Sequence, residues 1–275
     1  MSSNTSSHFG QYVLASGANA VGRLNLLHNI YSPAGRQVLL QAGITKGMRV
    51  ADFGCGTGTM TRLLAEMVGP SGSVTGIDVN AAQLDQARKL CAAQGLTNTF
   101  FVEADACRTG LPRNGFDLAY CRFLLLHLPD PAACLSEMRD VLKPGGILVV
   151  EDGDLASAAS VPSTALNAFA DLFTRLGPIR GLDYSLANRL CHMVTDAGFS
   201  GASLKVHQPA ERAGESGLLL KWSVEEAGPS FVESGLITFD QLERTLSEMQ
   251  DALVDPNILA LAPRMSLVWG RKPIS

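Results

Sequence analysis

The chain has 275 residues, 46% of them hydrophobic, and a formal net charge of −4. That length can bury the core of one large α/β domain, and the acidic balance gains nothing from counterion release, which removes DNA and RNA from the expected partners. No apolar run approaches the roughly 20 residues of a membrane span, so no membrane partner is expected. The opening MSSNTSSHFG lacks the charged-then-apolar layout of a secretory signal and reads as a frayed polar tail. Six scattered cysteines without a C-x-x-C pair, and five histidines without ligand spacing, predict free thiols in a cytoplasmic protein that holds no metal.

In chain order, MRVADF (48–53) is a short apolar run of the kind that forms a buried parallel strand. The glycine-rich CGTG follows. Met60, Leu63, Leu64 and Met67 then recur at helical spacing until Gly69-Pro70 stops them. SVTGID (73–78) is a second strand. Asn80 caps a second helix that ends at Gly95. TFFVEAD (99–105) and FDLAYCRF (116–123) are the third and fourth strands. Asp130-Pro131 opens a helix with Leu135, Met138 and Leu142 on one face, and Lys143-Pro144-Gly145-Gly146 turns the chain into a fifth strand, GILVVED (146–152).

The second half changes character. A helix is expected over 163–176, ended by Gly177-Pro178, and another over 184–197, stopped at Gly198. ASLKVHQ (202–208) and RMSLVWGRK (264–272) read as two antiparallel end strands. Between them, about 210–258, lies a helical insertion with a Thr238/Gln241 capping box. An apolar insertion beside a ligand cleft suits a lid or pocket wall as well as it suits plain packing.

Repeated strand–helix units predict a three-layer, doubly wound, mostly parallel seven-stranded sheet with an antiparallel last strand and a helical lid. Ligands in such sheets bind at the carboxyl ends of the strands. The glycine loop, Asp78, Asp105, residues 121–127 and Glu151/Asp152 all fall at such ends.

In ADFGCGTGT (51–59), Gly54, Gly56 and Gly58 alternate, and Thr59 stands where the third glycine of the dinucleotide pattern G-x-G-x-x-G would fall. With VADFGCGTGT (50–59), GIDVN (76–80), VEADA (102–106), FDLAYCRFLLLHLPDP (116–131) and LKPGGILVVED (142–152) in this order, the chain resembles the class I S-adenosylmethionine-dependent methyltransferases. The nearest branch is the small-molecule enzymes with an N-terminal helical segment and a helical insertion before the last strand. The resemblance implies S-adenosyl-L-methionine as cofactor and S-adenosyl-L-homocysteine as product. It implies a segment over the cofactor at 1–40 and a Rossmann-like domain at 41–275. The backbone of Gly54, Cys55, Gly56 and Gly58 would face the methionyl part and ribose, with Asp52 orienting the amino group. Asp78 would accept from the ribose hydroxyls beside Val79. Asp105 and Ala106 would meet the adenine, and Cys121 and Arg122 the sulfonium and carboxylate tail. Tyr12 and Arg23, eleven positions apart in YVLASGANAVGRLNLLHNIY (12–31), would share a face if helical, although Gly17 and Gly22 interrupt the pattern; His28 stands where a glutamine is expected.

The chemistry expected is in-line methyl transfer to a small, largely apolar acceptor, driven by orientation worth about 7–11 kcal/mol. A general base is optional, with His127, Glu151, Asp152 and Asp154 as candidates; for His127, capping a turn at the core edge is the stronger reading. Phe169, Phe173, Trp222, Phe231 and Met249 are candidate pocket walls, against ordinary core. A nicotinamide-dependent oxidoreductase and a non-catalytic S-adenosylmethionine-binding scaffold are the alternatives. A monomer or homodimer is expected.

Overall fold

The computed structural model describes residues 18–212 and 214–274, with side chains from residue 22 onward. Tyr12 and the polar tail lie outside the described residues. The strands are β1 (Arg49–Phe53), β2 (Ser73–Asp78), β3 (Thr99–Glu103), β4 (Phe116–Arg122), β5 (Leu142–Asp154), β6 (Ala159–Val161), β7 (Ser200–His207), β8 (Ala210–Arg212), β9 (Leu259–Leu261) and β10 (Arg264–Arg271). The helices are α1 (Ala18–Ala42), α2 (Thr59–Val68), α3 (Ala81–Ala93), α4 (Pro131–Val141), α5 (Ala168–Arg180), α6 (Leu190–Asp196), α7 (Glu215–Glu233) and α8 (Phe239–Val254).

Seven strands form one sheet in the order β3-β2-β1-β4-β5-β10-β7, parallel except for β10, which runs antiparallel to both its neighbours. The central strands are nearly continuous apolar runs because helices cover both faces. One face buries Ala51, Phe53, Ala119, Cys121, Leu148 and Val150 against α4, α5 and the insertion. The other buries Val50, Leu118, Tyr120, Ile147 and Val149 against α1 and α2. The order reverses between β1 and β4, so the connections leaving these two strands diverge and open a crevice at their carboxyl ends.

Local sequence sets the element ends. Asn80 accepts from the backbone N–H of Ala82 and Gln83 to start α3, and Asp130 accepts from that of Ala133 to start α4, with Pro131 in the first turn. Thr238 and Gln241 form the reciprocal capping box of α8.

Four local expectations are corrected. Gly177-Pro178 does not end α5, which runs on to Arg180; left-handed Gly181 (φ 67°) closes it, its N–H reaching the Gly177 and Pro178 carbonyls. β5 begins at Leu142 rather than 146, because the Pro144-Gly145-Gly146 stretch forms an irregularity in the pairing with β4 and not a separate turn. The third strand stops at Glu103, since Asp105 turns back to bridge Arg108. α1 is one continuous helix across Gly22 and Pro33. The structure also contains a small sheet, β6-β9-β8, at the root of the insertion; its three-residue strands are too short to leave an alternating pattern.

Replacing Thr238 by Ala removes the α8 cap and is expected to lower the unfolding free energy by about 1 kcal/mol. Urea denaturation would read this as a lower midpoint at unchanged slope; an unchanged midpoint would show that α8 does not depend on its cap.

Candidate functional site

The glycine loop joins β1 to α2. Gly54 and Gly58 are left-handed (φ 65° and 76°), and a Cβ would fall 2.8 Å from the Leu124 side chain at Gly54 and 2.9 Å from Ala87 Cβ at Gly58. Only glycine satisfies both the backbone conformation and the space. Gly58 is also the N-cap of α2 and supplies no side chain to its first turn, which leaves backbone donors for a ligand. The Cys55 side chain turns inward against Gly76, so only its backbone can serve the cleft. Asp78, at the end of β2, ties this loop down: Oδ2 accepts from Gly56 N–H and Oδ1 from Asn80 N–H, both at 2.9 Å. Burial raises its pKa while these two backbone donors lower it. Each oxygen keeps a second lone pair for another donor. Val79 beside it is 63% exposed, an apolar surface at the strand end. Asp105 accepts from Cys107 N–H at 2.8 Å, and Ala106 is buried.

Strand register gathers the second group. Asp52 is opposite Tyr120, and Arg122 is opposite Glu151, so all four side chains share the α1 face. Asp52 is buried and accepts from the Thr61 hydroxyl at 2.5 Å; burial pushes its pKa up to about 7 against the pull of Thr61 and Arg122. Glu151 is wholly buried under Gly35 of α1, where a Cβ would come within 2.6 Å of its Oε1. Burial raises its pKa to about 7, with Arg122 and the neighbouring Tyr120 hydroxyl opposing. Arg122 reaches His28 Nδ1 at 3.4 Å with one terminal nitrogen, while the other, Nη1, is buried without a hydrogen-bond partner. His28 is held neutral, pushed down to about 4 by burial and by the Arg122 and Arg62 charges, so its Nδ1 can accept. No carboxylate lies within ion-pair distance of Arg122 among the described residues.

The opposite face holds the remaining catalytic candidates. Asp152 is buried and its carboxylate accepts from the backbone N–H of Leu125 (2.8 Å), Leu126 (3.3 Å) and Gly153 (2.9 Å). It fixes the single 3-10 turn after β4, and burial still raises its pKa to about 7. His127 ends that turn, edge-on to Tyr184, with a pKa pushed down to about 3 by burial and by the Arg23 charge. The Cys121 thiol points into the core on this face, so only its backbone borders the crevice. Asp154 is committed to an ion pair with Arg264 at 2.7 Å. Phe169, Phe173, Phe231 and Met249 are core residues with no open surface, and Trp222 packs over Gly22.

Arg23, on α1, is 3% exposed and pairs through Nε with Glu226 of α7 at 2.5 Å. Removing one partner alone would strand a buried charge, at a cost of about 3–5 kcal/mol. Two residues here escaped sequence reasoning. Glu226 had a signal: it falls four residues after Trp222 and seven after Leu219, on an otherwise apolar helix face. Phe123 had none: it takes φ 49°, left-handed for a bulky residue, held by its N–H to the Glu151 carbonyl at 2.9 Å and its ring edge on Tyr31. Two grooves of about 480 and 370 Å³ lie away from the strand ends, between α7 and α8 and between α1 and β7. The chemistry-bearing side chains gather at the crevice and not in either groove.

The crevice therefore offers backbone donors, a carboxylate with spare lone pairs, an apolar surface and a partly buried guanidinium whose Nη1 has no hydrogen-bond partner among the described residues. That donor set fits a nucleoside carrying an amino-acid tail.

A family model described as a methyltransferase domain matches residues 44–214. Demethylmenaquinone methyltransferases of Staphylococcus aureus are 38% identical over 114 residues, 42% of this chain and 46% of theirs, so the chain spans about half the length of these curated relatives. A crystal structure titled as a putative methyltransferase from Bacillus halodurans superposes with a TM-score of 0.62 at 18% identity, covering 86% of this chain and 98% of that one. A Haemonchus contortus phosphoethanolamine N-methyltransferase, in complex with phosphomonomethylethanolamine and S-adenosylhomocysteine, gives 0.60 at 16% identity, covering 93% and 58%. At such identities the two structures establish the fold.

Acids whose folded pKa is raised bind more protons folded than unfolded between about pH 4 and 7, so their contribution to stability falls as pH rises through that window and levels off above it. Urea unfolding of Glu151→Gln at pH 5 and pH 8 is expected to show the variant gaining on the parent at the higher pH, by about 1 kcal/mol or more. A constant difference would show that Glu151 is ionised throughout.

Proposed function

The chain belongs to the methyltransferase-domain family, and from that premise we propose that it is an S-adenosylmethionine-dependent methyltransferase whose acceptor is a small, largely apolar molecule enclosed over the strand ends. The observation that supports this reading is the buried Arg23–Glu226 pair, which joins α1 to the insertion. In this reading residues 1–40 and the insertion at about 210–258 form the cover, and the sheet with its loops forms the floor.

The bound cofactor supplies a methyl group already activated by a sulfonium. The chain's residues have the rest of the work. Gly54–Gly58 and Asp52 set the position of the amino-acid part, Asp78 and Val79 hold the ribose side, Asp105 and Ala106 the base, and Arg122 the carboxylate. α1 and α7 exclude water, which strengthens every polar contact inside. Positioning is the main catalytic device, and three findings support that. Asp152 already accepts three backbone donors. His127, pushed down to about 3, is a weak proton acceptor at neutral pH. Glu151 has a pKa near 7 but sits under α1, away from open space. Six free cysteines suit a reducing compartment.

Calorimetric titration tests the cofactor roles. S-adenosylhomocysteine is expected to bind the parent protein, with affinity lowered about 10–100-fold by Asp78→Ala and by Arg122→Met, the range for one charge-assisted hydrogen-bond set. Variants that bind like the parent would remove both residues from the site.

A further inference from the structure

Glu226 is a buried carboxylate of the insertion that neither the fold nor the cofactor roles fully use. Its side chain is 7% exposed, on the α7 face that meets α1. Oε2 accepts from Arg23 Nε, while Oε1 is buried with no hydrogen-bond partner among the described residues. A buried acceptor without a donor is costly, and such atoms are rare unless a ligand or water completes them. The pair lies about one and a half turns along α1 from His28, which meets Arg122 at the crevice. Arg122 and His28 pair with each other at the cofactor end, so they do not supply the missing donor.

We infer that Glu226 is the polar anchor of the acceptor pocket, its free Oε1 accepting a hydrogen bond from a hydroxyl group of an otherwise apolar acceptor. The charge balance selects the hydroxyl. Arg23 and Glu226 cancel, and His127 is uncharged beside them, so nothing there favours a cationic ammonium over a neutral donor. Arg23 does for Glu226 what a positioning residue must: it holds one oxygen so that the other faces the ligand in a fixed direction. The inference rests on the small-acceptor reading above and names the recognition group within it.

The test uses the full chain saturated with S-adenosylhomocysteine and titrated with 1-naphthol or 1-methoxynaphthalene, a matched pair with and without a hydroxyl donor. The parent is expected to bind the naphthol about tenfold tighter, the usual scale of a hydrogen bond to a charged acceptor. In Glu226→Gln the amide oxygen stays on Arg23 and the amide N–H₂ takes the place of Oε1, so the preference is expected to vanish or reverse. Glu226→Asp keeps the charge, withdraws the oxygen by one methylene, and is expected to narrow the preference; it serves if the Gln variant fails to fold. Equal binding of the two compounds by the parent, or an unchanged preference in both variants, overturns the anchor and leaves the small-acceptor reading standing. Binding of S-adenosylhomocysteine without binding of either naphthalene overturns both.

Discussion

In-register pairing of β4 with β1 on one side and β5 on the other is the constraint on which the site depends. Residues opposite one another in a parallel ladder must point to the same face. Once Asp52 faces Tyr120 and Arg122 faces Glu151, four polar side chains share one surface of the sheet. The next residues along, Phe53, Cys121 and Asp152, are sent with equal necessity to the other. A shift of one residue in either pairing would exchange the two sets and leave Arg122 in the apolar core.

That arrangement obliges α1 to do two things at once. It must cover Tyr120 and Glu151, which it does by bringing Gly35 against the Glu151 carboxylate, where a Cβ would push that carboxylate aside. It must also leave an acceptor for Arg122, which it does with neutral His28. The same helix then reaches the insertion through Arg23. The sheet, α1 and the insertion are thus mechanically one unit, held by polar contacts that become strong because water is kept out.

The sheet and the glycine loop were legible because their signals are local: apolar runs of strand length, glycines where the backbone must turn left-handed, and Asn80, Asp130 and Thr238 as caps. The side-chain chemistry was less so. Cys55 and Cys121 sit within the right motifs, yet the glycine loop turns the first thiol against Gly76 and strand alternation turns the second into the core, and a motif does not announce which of its atoms face the ligand. Gly177-Pro178 looked like a stop because the closing residue, Gly181, lay beyond the apolar pattern. The Arg23–Glu226 pair spans 203 residues, and no window along the chain contains both.

The root of the insertion has a consequence for how such a protein diversifies. The chain leaves the main sheet through β8 and returns through β9, and Arg212 is directly opposite Leu259 in that ladder. Both ends of everything between them are therefore clamped side by side before any helix is added. Closing a longer excursion across a fixed gap is entropically cheap, about 0.6 kcal/mol for each doubling of its length. The module carrying α7 and α8 can lengthen, shorten or be exchanged with little disturbance to the strands of the main sheet, a cassette rewritten on a scaffold that is inherited unchanged.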